Sequence, residues 1–264
     1  MFIKMLSPIK KPKIVHYCWF GGKIFPPLEQ QCINSWREEL PDYEFILWNE
    51  QNFDIHASKF CSQAYEKKMF AFVSDYARAW VLENHGGTYF DTDVGIYSNI
   101  GRLLEENENV LGFETRHFVG TAVMSFVPRH GLMKEMLESY SGDFVDSSGV
   151  MRLETNVTIL RRLLEKRGLV QNGSEQMVED IRIFPRDYFF PQKRDGIFAM
   201  TENTVAIHYG TGSWLTERQK NRGNNIIWIN FCRPVLRGVK NIIHLLFGDR
   251  ITEKIEMKIR NLLR

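Results

Sequence analysis

Apolar and polar positions along the chain fall into blocks of two periods. "KIVHYCWF" (13–20) is an almost unbroken apolar and aromatic run closed by Gly21-Gly22, the pattern of a buried parallel strand. "PPLEQQCINSWREEL" (26–40) starts on proline and spaces its apolar residues for a helix. "YEFILWNE" (43–50) predicts a second strand, and "MFAFVSDYARAWVLENHGG" (69–87) a long helix ended by a glycine cap. "TYFDTDVGIY" (88–97) predicts a third strand. Strand, helix, strand, helix, strand implies a doubly wound α/β sheet, whose ligands bind outside the carboxyl ends of the strands. Further on, 109–115 and 121–128 predict two strands in antiparallel relation, 131–140 and 155–168 helices, and 181–191 and 204–214 short strands running into loops.

With 264 residues the chain has room for one large α/β domain or two small ones. Hydrophobic residues at 44% and charged residues at 25% are those of an ordinary globular protein, and 19 Phe, nine Tyr and six Trp suit a deep core or stacking surfaces. The net charge of +2 conceals an asymmetry: residues 215–264 hold eleven Lys/Arg against four Asp/Glu, a net of +7 that leaves −5 for the rest. Cys18, Cys32, Cys61 and Cys232 lie far apart without CxxC spacing, which fits a reduced intracellular protein better than a disulfide or zinc framework. The N-terminal "MFIKMLSPIKKPK" has no apolar core of signal-peptide length, and no stretch approaches the roughly 18 apolar residues of a membrane span. The expected compartment is the cytoplasm.

The chemistry concentrates around Asp91 and Asp93. In an extended segment residues i and i+2 point the same way, so the two carboxylates would share one side at the sheet's carboxyl edge. There they can hold a hard divalent cation together with a diphosphate, or simply close a strand at the surface. The preceding helix places Ser74, Asp75 and Arg78 on one face, with Val73, Ala77, Trp80 and Val81 supplying the apolar one. That pair is either a solvated Asp–Arg contact or part of the same pocket.

"IVHYCWFGG", "SDYARAWVLENHGGTYFDTDV" and "HYGTGSW" together resemble the DXD-containing sugar-binding-region glycosyltransferases, over roughly residues 13–214. The resemblance implies a GT-A fold: a Rossmann-like mixed sheet with helices on both faces, followed here by a helical C-terminal extension at 215–264. It implies a nucleotide diphosphate sugar donor held with Mn²⁺ or Mg²⁺. By matching position Trp19 would stack on the donor base, with Cys18 and Phe20 beside it; the other reading of Trp19 is a core tryptophan. Ser74, Asp75, Arg78 and Tyr89 would line the donor site. Asp91 would contact ribose or metal-bound water, and Asp93 would ligate the metal. His208 would complete the metal site and Ser213 and Trp214 would close over the donor, although a lone His after a strand also serves as a packed residue. Glu114 and Asn156 are the polar candidates on the acceptor side.

The expected reaction is metal-dependent hexosyl transfer with retention, from a UDP-sugar in first place, to a glycan or lipid-linked saccharide in surface polysaccharide synthesis. GDP-mannose is the alternative donor, a protein-glycosylating effector the alternative enzyme, and a nucleotide-sugar-binding regulator the non-enzymatic alternative. The basic tail at 215–264 mixes Ile, Leu, Phe and Trp with Arg and Lys, and is either a packing extension or a peripheral membrane contact. No nucleic-acid-binding motif accompanies it.

Overall fold

The computed structural model describes residues 10–194 and 196–212. In chain order the elements are β1 (Ile14–Cys18), α1 (Pro27–Glu39), β2 (Glu44–Trp48), α2 (Lys59–Glu66), α3 (Phe70–His85), β3 (Gly87–Phe90) and β4 (Val94–Ile96). They continue with α4 (Ile100–Glu106), β5 (Asn109–Phe113), β6 (Val119–Phe126), α5 (Gly131–Glu138), α6 (Asn156–Glu165), β7 (Gln176–Val178) and β8 (Ile181–Phe184). After a 3₁₀ turn at Arg186–Tyr188 come β9 (Lys193–Arg194), β10 (Ile197–Phe198) and β11 (Ala206–His208). Seven strands form one sheet in the order β2-β1-β3-β6-β5-β8-β7, while β4–β11 and β9–β10 are separate antiparallel pairs. β1 is parallel to β2 and β3, β6 runs antiparallel to both β3 and β5, and β5 is parallel to β8. The fold is therefore mixed α/β, as expected, and β5 and β6 are antiparallel, as expected.

The described residues divide into two compact units, 10–141 with 154–210 in one and 142–153 with 211–212 in the other. In the second, the described hairpin pairs Val145 with Met151 around Asp146, whose Oδ1 accepts from the Ser148 and Val150 N–H groups. The expected boundary at 214/215 lies outside the described residues.

The chain moves from β1 through α1 to β2 on one side, then through α2 and α3 to β3 on the other. Right-handed crossovers put α1 and α3 on opposite faces of the sheet. Strand alternation sorts the side chains accordingly: Tyr17 and Phe90 pack on Trp36 of α1, with ring centroids 5.3 and 5.4 Å apart. His16 and Tyr89 turn the other way, toward the α3 segment, and the fully buried strands β5 and β6 complete the core.

The turn from α3 into β3 depends on Gly86 and Gly87, at φ +64° and +95°. A Cβ on Gly87 would also stand 2.7 Å from the Ile14 carbonyl oxygen, so only glycine lets β3 dock against β1. Buried His16 anchors the same turn. The Trp48 indole N–H can only donate, at 3.0 Å, so His16 Nδ1 accepts and Nε2–H donates to the Gly86 carbonyl at 2.9 Å. Burial pulls His16 down to about 4, against the partial support of the Gly86 hydrogen bond. Unfolded, the imidazole takes its proton near pH 6.5; folded, only near pH 4. Stability is therefore complete above pH 6.5 and falls as pH drops to 4, by about 3 kcal/mol in all. Urea titrations from pH 7 to 4 should show a shallower pH slope for His16→Gln than for wild type; parallel curves would remove His16 from the pH response.

Several features depart from the expectations: β7, β9 and β10 occupy stretches with no predicted strand. α2 and α4 occupy stretches with no predicted helix. The single strand predicted at 88–97 is two strands in two different sheets, and Asp91–Asp93 is the turn between them, with the Val94 N–H donating to the Asp91 carbonyl at 3.0 Å. The two carboxylates thus converge through a turn and not through the alternation of one extended strand.

Candidate active site

β3 delivers Asp91 to the carboxyl edge of the sheet, where its N–H donates to the Ala122 carbonyl of β6 at 2.9 Å. The turn carries Asp93 across, and the β4–β11 pairing sets His208 opposite Val94. The Tyr209 N–H donates to the Asp93 carbonyl at 2.9 Å, and His208 Nε2 lies 3.3 Å from Asp93 Oδ1. One ligand atom from each of Asp91, Asp93 and His208 falls within 4.8 Å of the others. Two carboxylate oxygens and an imidazole nitrogen are a donor set suited to Mn²⁺, and the convergence of these residues from two strands and a turn fits them to hold a divalent ion. Burial works against a charged His208, but the hydrogen bond it donates to Asp93 and the charges of Asp93, Asp91 and Glu114 raise its pKa overall.

His208 is held by aromatic packing that periodicity does not reveal. Its N–H donates to the Phe189 carbonyl at 3.0 Å, and its ring meets Phe190 edge-on at 5.7 Å. Phe189 and Phe190 fit because Gly112 and Gly120 have no side chains: a Cβ there would fall 2.4 Å from Phe189 and 2.5 Å from Phe190.

Arg78 occupies the floor. Its side chain is 4% exposed, Nη2 donates to Asp91 Oδ1 at 2.6 Å, and the guanidinium lies 4.4 Å above the Tyr89 ring centroid. Burial opposes the charge, and Asp91, Tyr89 and Asp75 more than offset it, so Arg78 stays protonated. Its Nε and Nη1 are buried without a hydrogen-bond partner among the described residues. A buried, charged donor left unpaired is costly, and such groups are ordinarily satisfied by a ligand or water.

Asp75 lies 3.8 Å from Arg78 Nη2 and accepts from Asn156 Nδ2 at 2.6 Å. Burial raises Asp75 to about 7, opposed by Arg78 and the Asn156 hydrogen bonds. With Arg78 4% and Asp75 14% exposed, the Asp–Arg pair is largely enclosed and not a solvated surface contact, and Asn156, expected on the acceptor side, faces Asp75. Burial pushes the neighbouring Cys18 thiol up to about 12, with Arg78 opposing, which leaves it an inert neutral group. Ser74 is half-buried one residue before Asp75.

Trp19 is not a core residue. It is half-buried, its indole N–H donates to the Lys23 carbonyl at 2.6 Å, and its ring leans on Phe25 at 4.7 Å. Phe20 instead points inward, 7% exposed and edge-on to Phe53 at 5.8 Å, so it supports the loop and lines no open surface. Ser213 and Trp214 lie outside the described residues.

Residues 26–115 match the sequence model of a family described as the glycosyltransferase sugar-binding region containing DXD motif. Over that segment the chain is similar to the sugar-binding region of DXD-containing glycosyltransferases. The matched segment includes Asp75, Arg78, Asp91 and Asp93 and stops before His208. Inositol phosphoceramide mannosyltransferase 1 of Schizosaccharomyces pombe is 26% identical over 149 residues, 50% of this chain and 43% of that enzyme. Lactosylceramide 4-alpha-galactosyltransferase of Pongo pygmaeus is 26% identical over 129 residues, 48% of this chain and 56% of that enzyme. The chain thus matches about half the length of these relatives. Among solved structures, the PaToxG glycosyltransferase superposes with a TM-score of 0.42 and 14% identity, over 60% of this chain and 71% of that one.

Proposed function

We propose that the protein is a metal-dependent, retaining hexosyltransferase of GT-A type that uses a nucleotide diphosphate sugar, a UDP-sugar in first place, and a glycan or lipid-linked saccharide as acceptor. The observation that carries this reading is the pairing of Arg78, whose buried Nε and Nη1 have no partner among the described residues, with the Asp91–Asp93–His208 cluster beside it. Such a site is built for a polyanion and its counter-ion. Asp93, His208 and Asp91 would hold Mn²⁺ or Mg²⁺, which supplies positive charge against the diphosphate as it leaves. Arg78 donates to phosphate or sugar oxygens on the opposite side, and Asp75 accepts from sugar hydroxyls. The Trp19 face away from Phe25 stacks on the base, and Tyr89 seats the guanidinium. The acceptor hydroxyl attacks the anomeric carbon on the face that the diphosphate leaves. The bond from anomeric carbon to phosphate oxygen breaks, the new glycosidic bond forms, and the hydroxyl proton passes to the departing phosphate oxygen. No side chain serves as a covalent nucleophile.

The deciding experiment is a thermal-shift panel of UDP- and GDP-sugars with Mn²⁺, followed by hydrolysis assays on the donor that raises Tm most. No shift and no hydrolysis across the panel would sink the reading. GDP-mannose is the second donor to test, because relatives such as the fission-yeast enzyme are named as mannosyltransferases. Trp19→Ala should weaken donor binding by roughly 5- to 150-fold, the equivalent of about 1–3 kcal/mol for a base–aromatic stack. Isothermal titration with the nucleoside diphosphate reads this directly; unchanged affinity would return Trp19 to a packing role.

Both relatives are named for ceramide-based substrates, which supports a lipid-linked acceptor here. Among the described residues no helix is long and apolar enough to cross a membrane. Peripheral contact through the basic segment 215–264, at the cytoplasmic face, is the arrangement we favour. Co-sedimentation with anionic liposomes should then fall as salt rises, because such charges are screened within about 10 Å at 0.1 M. Salt-independent partitioning would leave the segment as packing.

A further inference from the structure

α6 comes from 81 positions downstream of Asp75 and presents its first residue to it. The Asn156 side chain is fixed at both ends: Nδ2 donates to Asp75 Oδ1 at 2.6 Å, and Oδ1 accepts from the Val157 N–H at 2.7 Å. Asn156 is 7% exposed, and its main-chain N–H also faces the Asp75 carboxylate. Thr155 caps the helix by accepting from the Thr158 N–H, so the turn that carries Asn156 is itself held. The positive end of a ten-residue helix is therefore aimed at a carboxylate that also lies 3.8 Å from the Arg78 guanidinium.

We propose that Asn156 is a positioning residue for the transfer reaction, locking the Asp75 carboxylate in one orientation so that its remaining acceptor capacity faces a hydroxyl of the donor sugar. The proposal rests on the transferase reading above. Without the amide, Asp75 can rotate about its side chain, and the sugar loses a fixed acceptor while the nucleotide and diphosphate keep Trp19, Arg78 and the metal ligands. Loss of Asn156 should therefore slow turnover without weakening nucleotide binding.

Two variants separate positioning from packing. Asn156→Ala removes the amide. Asn156→Asp preserves the shape but sets a second carboxylate against Asp75, so it should be the worse of the two; a packing role predicts the reverse order. With Mn²⁺ and UDP-glucose or GDP-mannose, we expect hydrolysis to fall at least ~10-fold in Asn156→Ala and further in Asn156→Asp, against Kd values for UDP or GDP within about twofold of wild type. Carboxyl ¹³C NMR of Asp75, without any donor, should show its titration moved upward in Asn156→Ala, since the lost donor favoured the carboxylate. Unchanged hydrolysis, a milder Asp than Ala variant, or equal losses of turnover and nucleotide affinity would overturn the proposal. A wild-type protein that hydrolyses neither sugar would count against the transferase reading alone. The NMR titration then decides Asn156: an upward shift sustains its hold on Asp75, and an unmoved titration refutes it.

Discussion

Asp93→Asn is expected to abolish turnover of the nucleotide sugar while the protein stays folded. The substitution is nearly isosteric, and the main-chain contact that holds the turn, the Tyr209 N–H to the Asp93 carbonyl at 2.9 Å, does not involve the side chain. What disappears is a negative oxygen ligand. An amide binds a hard cation weakly, and the loss of several kcal/mol of charge stabilisation at the leaving diphosphate corresponds to a fall of ~10³-fold or more. His208 should respond as well. Its pKa is raised by Asp93, so in the variant it moves down toward the value that burial alone favours, and more of it is neutral at neutral pH. Initial rates across a Mn²⁺ series, with circular dichroism as the control for folding, give the test. Wild-type rates at limiting Mn²⁺ would take Asp93 out of the metal site.

The sequence carried the first half of the fold because its periods are unambiguous. The apolar run of β1, the Pro-initiated α1 and the glycine-capped α3 each state their own type. α2 escaped because it has only eight residues, although Ser58 is a proper N-cap whose side chain accepts from the Cys61 N–H at 3.0 Å. The break between β3 and β4 was written in Asp91-Thr92-Asp93, residues that favour turns, but the apolar residues on both sides made one continuous strand look simpler. The candidate site divides along the same line. Asp75, Arg78, Asp91 and Asp93 are close in sequence and came with the resemblance, as did His208. Asn156 was named only as an acceptor-side candidate; its contact with Asp75 carried no signal, because the partner is 81 residues away and local periodicity says nothing about which distant carboxylate a helix start will meet. The fit of Phe189 and Phe190 over Gly112 and Gly120 was equally invisible, since it is size complementarity across separate elements.

Arg78→Lys should retain the fold and lose most of the activity. Arg78 makes two kinds of contact, the 2.6 Å pair to Asp91 and the stacking on Tyr89, and its Nε and Nη1 donors are buried with no partner among the described residues. Lysine keeps the positive charge between Asp75 and Asp91, so neither carboxylate is left without a counter-ion, and the cost to stability stays small. It does not keep the planar fork, because an ammonium is a single point charge on a flexible stem. The two unpartnered N–H groups are what the donor is proposed to satisfy, and charge-assisted hydrogen bonds contribute about 1.5–3 kcal/mol each. Losing both should lower kcat/KM by ~10²-fold or more. Arg78→Met gives the contrasting case. It removes the charge altogether, leaves the partly buried Asp75 and Asp91 without their counter-ion, and should cost up to about 3 kcal/mol of stability, below the full penalty for breaking a fully buried ion pair because both carboxylates keep some contact with solvent. Thermal denaturation and donor hydrolysis on the two variants separate the roles. If Arg78→Lys hydrolysed donor like wild type, the unpaired N–H groups would have no ligand to explain them and Arg78 would be a structural counter-ion.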